Sequence, residues 1–161
     1  MIGFLSLGSN LGDRKGNLER ALNLLEDSPT LHPSLKIIKV SGFYETEPWG
    51  GVEQEPFYNL AVKIESTLEP LSLLRYCQRI EHLLGRERKL HWGPRVIDID
   101  ILTYHNYRIN SQELTLPHPY MERREFVLAP LREIEPELVL PSGRPIQEVK
   151  GEGKVKKISF A

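Results

Sequence analysis

From Ile2 to Tyr104 the apolar residues recur with two periods that succeed one another along the chain. Tyr58, Leu60, Val62 and Ile64 alternate with Phe57, Asn59, Ala61, Lys63 and Glu65, the period of two that gives a strand one apolar face. Before this run, Ile2 to Leu7 is a short apolar stretch ending in the turn formers Gly8-Ser9-Asn10-Leu11-Gly12-Asp13. Leu18, Ala21, Leu22 and Leu25 then follow helical spacing, closed by Pro29 and Pro33, and Leu35 to Tyr44 reads as a strand rich in β-branched residues. After a loop with Pro48, Gly50, Gly51 and Pro56 and the strand at 57–65, Pro70 opens a second helix with the stripe Leu73, Cys77, Ile80 and Leu84, and Gly85 stops it. Val96 to Tyr104 reads as a further strand.

Strand, helix, strand, strand, helix, strand is the split βαβ order. It predicts an α+β domain with a ferredoxin-like βαββαβ core, an antiparallel-rich sheet and both helices on one face. Beyond about Tyr107 the patterns predict a C-terminal hairpin/helix extension: a hairpin over 108–116, a helix over 124–133 and a loosely structured tail. The helices take the face bearing Leu60, Val62 and Ile64. The opposite face, with Phe57 and Asn59, is left open and is the expected place for a ligand.

The 161 residues fit one domain, 1–161, long enough to bury a core without staples. Hydrophobic residues make up 40% and charged residues 27%, with a formal net charge of -1. No global field therefore recruits nucleic acid or an anionic membrane, and attraction for phosphate must come from a local cluster. One cysteine, Cys77, excludes an intramolecular disulfide and a Cys-based zinc site, and its place on a helical stripe predicts a buried thiol. With no basic segment preceding an apolar one at the N-terminus, and no apolar run near the roughly 20 residues that span a bilayer, the chain reads as cytoplasmic.

Val96-Ile97-Asp98-Ile99-Asp100-Ile101-Leu102 is the most informative stretch. Alternation puts both aspartates on one strand face, their Cα atoms roughly 6.6 Å apart. Two carboxylates that close repel each other and call for a cation; magnesium, hard and oxygen-seeking, fits such a pair. Two ions about 4 Å apart could be clamped there for in-line displacement at phosphorus. The alternative for an isolated pair is a solvated edge strand whose aspartates meet surface arginines. Arg86, Arg88, Lys89, His91 and Arg95 crowd the residues just ahead, around Trp92-Gly93-Pro94. Arginine forks match phosphate oxygens, so a basic loop opening into an acidic strand suits a nucleotide-using site. There is no Gly-x4-Gly-Lys-Ser/Thr and no Gly-x-Gly-x-x-Gly, so side chains and metal must hold the phosphates.

Trp92-Gly93-Pro94-Arg95-Val96-Ile97-Asp98-Ile99-Asp100-Ile101 resembles the signature of the 6-hydroxymethyl-7,8-dihydropterin pyrophosphokinase family. The likeness extends to Gly8-Ser9-Asn10-Leu11-Gly12, Tyr44-Glu45-Thr46-Glu47-Pro48-Trp49-Gly50, Phe57-Tyr58-Asn59 and Pro117-His118-Pro119. The resemblance implies an enzyme of folate biosynthesis that moves the pyrophosphate of ATP to the pterin hydroxymethyl group and releases AMP. It implies Asp98 and Asp100 as ligands of two Mg2+ ions, Arg86 and Arg88 as clamps on the triphosphate, and Arg95 as a fixed partner of the reacting group. Gln78, Glu81, Ile101, His118 and Arg124 are then nucleotide contacts, with Trp92 as a lid. Thr46, Pro48, Trp49, Phe57, Asn59 and Phe126 match the pterin pocket. A flat heterocycle suits aromatics on its faces and an amide at its edge. The implied partners are ATP and a dihydropterin, with no nucleic acid and no membrane; contact with neighbouring folate enzymes stays open. The loop from Arg86 to Trp92 is about one residue shorter than the family's usual length, leaving Lys89 and His91 without counterparts.

Two other readings compete. A nucleotidyltransferase of the Gly-Ser plus Asp-x-Asp type has both elements here, but about ninety residues apart instead of about a dozen. A ferredoxin-like sensor without turnover has no need of arginines beside paired aspartates.

Overall fold

The computed structural model describes residues 1–26, 34–46, 55–85 and 96–160. Strand β1 (Ile2–Ser9) leads to helix α1 (Arg14–Glu26), then β2 (Leu35–Val40), β3 (Phe43–Thr46), β4 (Phe57–Ser66), helix α2 (Pro70–Leu83) and β5 (Asp98–Tyr104). A small hairpin, β6 (Ile109–Asn110) and β7 (Thr115–Leu116), precedes helix α3 (Glu125–Ile134), a 3-10 turn at Ile146–Glu148 and β8 (Val155–Ile158). The main sheet runs β5-β1-β4-β3-β8, with β2 also on β4, and every pairing is antiparallel. The expected α+β order holds: β1, the β2/β3 edge, β4 and β5 supply the strands, and α1 and α2 the crossovers.

Alternation decides what each face buries. Leu5, Leu7, Leu60, Val62, Ile64, Ile99 and Ile101 point to one side, where Leu18, Ala21 and Leu25 of α1 and Leu73, Cys77 and Ile80 of α2 meet them in one core. Cys77 is fully buried, as its stripe predicts, and burial pushes its thiol pKa far up, so it is not a nucleophile.

The other face differs from expectation. It is open only at one end. Phe4, Ala61 and Leu102 are covered by Val127, Leu128, Leu131 and Ile134 of α3, with Met121, Leu140, Ile146 and Val149 completing a second core. The helix expected near 124–133 is present, but it lies on the sheet. It has to, because Phe4, Ala61 and Leu102 would otherwise leave an apolar surface in water.

The expected single strand over 35–44 is two. At Ser41 the backbone N–H donates to the Ala61 carbonyl at 2.9 Å and the hydroxyl accepts from the Ala61 N–H at 2.9 Å, while the Gly42 N–H turns to the Glu133 carboxylate of α3. The strand expected to begin at Val96 begins at Asp98. The tail is ordered: β8 extends the sheet beyond β3. With only Val155 and Ile158 apolar and two lysines between them, this edge strand carries little hydrophobic signal. Among the described residues no helix is long and apolar enough to cross a membrane.

Candidate active site

The uncovered end of the second face is built from three strands in register. Asn59 of β4, Gly8 of β1 and Asp98 of β5 stand abreast, and Ala61, Ser6 and Asp100 form the next row. Antiparallel partners project to the same side, so amide, glycine and first carboxylate share one level of one face. Asp98 is half-buried and Asp100 exposed.

Gly8 explains itself in this row. A Cβ there would sit 2.7 Å from Asn59 Oδ1 and 3.5 Å from Phe57 Cδ1. The missing side chain is the space across which Asn59 and Phe57 lie. Asn59 is 3% exposed, and its Nδ2 is buried without a hydrogen-bond partner among the described residues. Such a donor costs about 1–3 kcal/mol unless something accepts from it. Thr46, buried at the end of β3, is paired with Phe57, so three expected pterin-pocket residues are contiguous.

The loop after β1 is tied down from both sides. Asn17 Nδ2 donates to Ser9 Oγ at 3.2 Å and to the Leu11 carbonyl at 2.8 Å, and Gly12 takes the left-handed φ of +74° that the turn needs. Asn10 reaches the Glu55 carbonyl at 3.2 Å. Arg14 donates to the Pro56 carbonyl at 2.9 Å and lies 3.9 Å over the Tyr58 ring. Arg14 and Asn10 therefore fix the entry to β4 and Asn17 the loop after β1, roles that no spacing rule announced.

The strand bearing the aspartates lies at the sheet edge, and α2 supplies its missing partner. Glu81 is 8% exposed, and its Oε2 accepts the N–H of Ile99, the residue between the aspartates, at 2.8 Å. Gln78, one turn earlier, is half-buried and accepts from Arg75 at 3.3 Å. Ile101, an expected nucleotide contact, turns its side chain into the helix-side core, leaving only backbone for a ligand.

At the mouth of the second core, the His118 N–H donates to the Leu102 carbonyl at 2.8 Å, and His118 Nδ1 accepts from the Tyr120 N–H at 3.2 Å. Burial, and then the nearby Arg124 guanidinium, lower its pKa to about 4. At neutral pH its ring is uncharged and, with Nδ1 accepting, carries its proton at Nε2. Arg124 lies 5.1 Å over Tyr120 and 5.6 Å over Phe126, and Phe126 packs on the second core. Tyr120, 48% exposed, is the aromatic that the sequence reading passed over; a tyrosine beside Pro117-His118-Pro119 was the available signal. Pro48, Trp49, Arg86, Arg88, Lys89, His91, Trp92 and Arg95 lie outside the described residues.

Asp98 and Asp100 offer hard oxygen donors. Among the described residues no cluster of three or more His, Cys, Asp or Glu side chains forms. Two carboxylates alternating on one strand face fit magnesium, which keeps waters and takes substrate phosphates as further ligands. A split βαβ sheet, a paired-carboxylate edge strand and, among the described residues, an unmatched amide in register with it define an α+β domain with a candidate site on one sheet face.

Comparison with known proteins gives the family. Residues 4–136 match the model described as 7,8-dihydro-6-hydroxymethylpterin-pyrophosphokinase (HPPK), and the chain belongs to that family. It is 50% identical over 131 residues to the bifunctional protein FolKE of Lactococcus lactis subsp. cremoris, a match covering 81% of this chain and 36% of that protein. It is 46% identical over 133 residues to the 2-amino-4-hydroxy-6-hydroxymethyldihydropteridine pyrophosphokinase of Bacillus subtilis (83% of this chain, 77% of that protein). To the protein of the same name from Aquifex aeolicus it is 40% identical over 154 residues (95% and 92%). The chain thus spans about a third of the bifunctional relative and most of the other two. Among solved structures, an HPPK-DHPS in complex with substrates has a TM-score of 0.70 at 19% identity, covering 91% of this chain and 42% of that one, which bears on the fold alone.

Proposed function

We propose that this chain transfers the pyrophosphoryl group of ATP to the hydroxyl of 6-hydroxymethyl-7,8-dihydropterin, giving AMP and the pterin pyrophosphate for folate biosynthesis. The observation that carries this reading is the row Asn59, Gly8, Asp98: a buried amide lacking an acceptor among the described residues stands one strand away from a glycine and two from a carboxylate. The pterin edge supplies that acceptor and Phe57 one of its faces. The hydroxymethyl arm then points along the row toward the aspartates.

The hydroxyl oxygen attacks the β-phosphorus, the bond from that phosphorus to the oxygen bridging it to the α-phosphorus breaks, and AMP leaves with that oxygen. Proton loss from the hydroxyl is late, so no strong base is required, and positioning and electrostatics dominate. Asp98 and Asp100 would hold Mg2+, as two ions in this reading, and bound magnesium supplies charge neutralisation on the phosphates. Thr46, Phe57, Asn59 and Phe126, with Pro48 and Trp49, bind the pterin. Gln78, Glu81, Ile101 through its backbone, His118 and Arg124 bind the nucleotide. Arg86, Arg88 and Arg95 hold the triphosphate and Trp92 closes over the pair.

Mass spectrometry of the pterin after incubation with Mg-ATP tests the reaction. Addition of two phosphoryl groups is expected. Addition of one, or of an adenylyl group, overturns it, the latter in favour of nucleotidyl transfer.

A further inference from the structure

We propose that the segment from Val149 to Phe160 is a positioning clamp that holds the start of α3, with Arg124 and Phe126, against the end of β3, with Thr46. This deepens the reading of the site given above and rests on it. The segment lies beyond residues 4–136, the span that matches the family model.

The first half of the clamp grips α3. The Glu152 N–H donates to the Arg123 carbonyl at 2.7 Å, and the Glu152 carbonyl accepts from the Glu125 N–H at 3.0 Å, bracketing Arg124 in a short parallel bridge. The Gly151 N–H donates to Glu125 Oε1 at 2.8 Å. The same carboxylate pairs with Arg132 at 3.0 Å, and Arg132 also donates to the Val149 carbonyl at 2.7 Å. Gly151 is a matter of space. A Cβ there would fall 2.4 Å from Glu125 N and 2.6 Å from Arg124 C, both backbone atoms that cannot swing aside.

Three residues on, the second half grips β3. Gly153, at a φ of +102°, turns the chain into β8, where Val155 pairs with Thr46 and Lys157 with Tyr44. Lys157 Nζ reaches Glu133 Oε1 of α3 at 3.1 Å, and the Tyr44 hydroxyl donates to the same oxygen at 2.7 Å. Phe160 then packs edge-on against Phe43 at 5.2 Å and Tyr58 at 6.0 Å. From Glu152 to Val155 the chain spans at most about 10 Å. One short run therefore ties two walls of the pocket that come from elements far apart in sequence. A strand serving only to cover the sheet edge would need the contacts to β3 and none of those to Arg123, Arg124 and Glu125.

The test compares Gly151→Ala and Phe160→Ala with the parent chain, and with Leu25→Ala as a variant that loosens the other core. Hydrogen exchange in peptides covering 123–127 and 43–46 should quicken at least about tenfold in Gly151→Ala. The pterin KM should rise at least about tenfold while kcat stays within about threefold, the pattern of lost binding shared by substrate and transition state. Phe160→Ala should move the same two readouts in the same direction by about threefold. Leu25→Ala should lower the melting temperature and leave the pterin KM unchanged. Unchanged exchange in both clamp variants overturns the clamp, and faster exchange with an unchanged pterin KM overturns its positioning role. If Gly151→Ala does not fold, Phe160→Ala decides. Absence of pterin phosphorylation by the parent chain would strike the proposed function instead, while exchange still reports on the clamp.

Discussion

Asn59 sets the terms at the scale of single residues, because a buried amide nitrogen without an acceptor among the described residues is a stability cost that a ligand can relieve. Asn59→Ala should therefore leave the melting temperature unchanged or raise it while the pterin KM rises at least about tenfold. A sharp fall in melting temperature with an unchanged KM would make Asn59 an ordinary core residue. Gly8→Ala should raise the same KM from the other side of the contact, since its Cβ would displace Asn59 Oδ1. For His118 the sign of the pH effect follows from its depressed pKa. Unfolded, it binds a proton near 6.5; folded, only near 4. Above pH 6.5 neither state carries that proton. Between 6.5 and 4 only the unfolded chain does, so stability falls as pH is lowered through that window, and the loss is complete below it. Urea unfolding of His118→Asn should lack this component of the pH dependence; curves for parent and variant that stay parallel would contradict it. Alternation alone placed Asn59 with Phe57 and Asp98 with Asp100. What it could not supply is the neighbour across the sheet: that Gly8 lies between Asn59 and Asp98 is a matter of register, and register is set by strands far apart in sequence.

At the scale of elements, β5 depends on α2. An edge strand exposes N–H groups on its outer side, and at Ile99 the Glu81 carboxylate fills that need where the two aspartates must be held. Glu81→Ala should cost about 1–3 kcal/mol of stability and raise the Mg2+ concentration needed for half-maximal rate. Glu81→Gln, which keeps an acceptor, should recover most of both. Equal defects in the two variants would mean that the charge, and not the brace, is what matters. The resemblance named Glu81 only as a nucleotide contact, and the helical stripe of Leu73, Cys77, Ile80 and Leu84 did not include it; its target, the Ile99 N–H, lies on another element. The same distinction explains β8 and the break between β2 and β3. Both depend on α3: Glu133 draws off the Gly42 N–H, 91 residues away, and meets Lys157 on β8, and no local pattern encodes partners on other elements.

For the whole molecule, the sheet is divided between two tasks. One face is closed by α1 and α2 and, among the described residues, part of the other is closed by α3, leaving the candidate site at the end where β1, β4 and β5 carry Gly8, Asn59 and the aspartates. The split βαβ order was readable because each of its elements keeps its own period. The covering of the second face was not, because α3 has the amphipathic pattern of any surface helix and only the apolar residues Phe4, Ala61 and Leu102 ask for it. Asp98→Ala or Asp100→Ala should lower kcat by about a thousandfold or more at saturating Mg2+ with the fold intact, since each removes half of the proposed metal site; near-normal turnover would remove the metal assignment. The most direct measurement mixes purified chain, Mg-ATP and 6-hydroxymethyl-7,8-dihydropterin and separates the nucleotides by chromatography. The account predicts AMP formed one-for-one with the pterin consumed and none without pterin. ADP, or free pyrophosphate in its place, or a folded chain with no turnover, would contradict it.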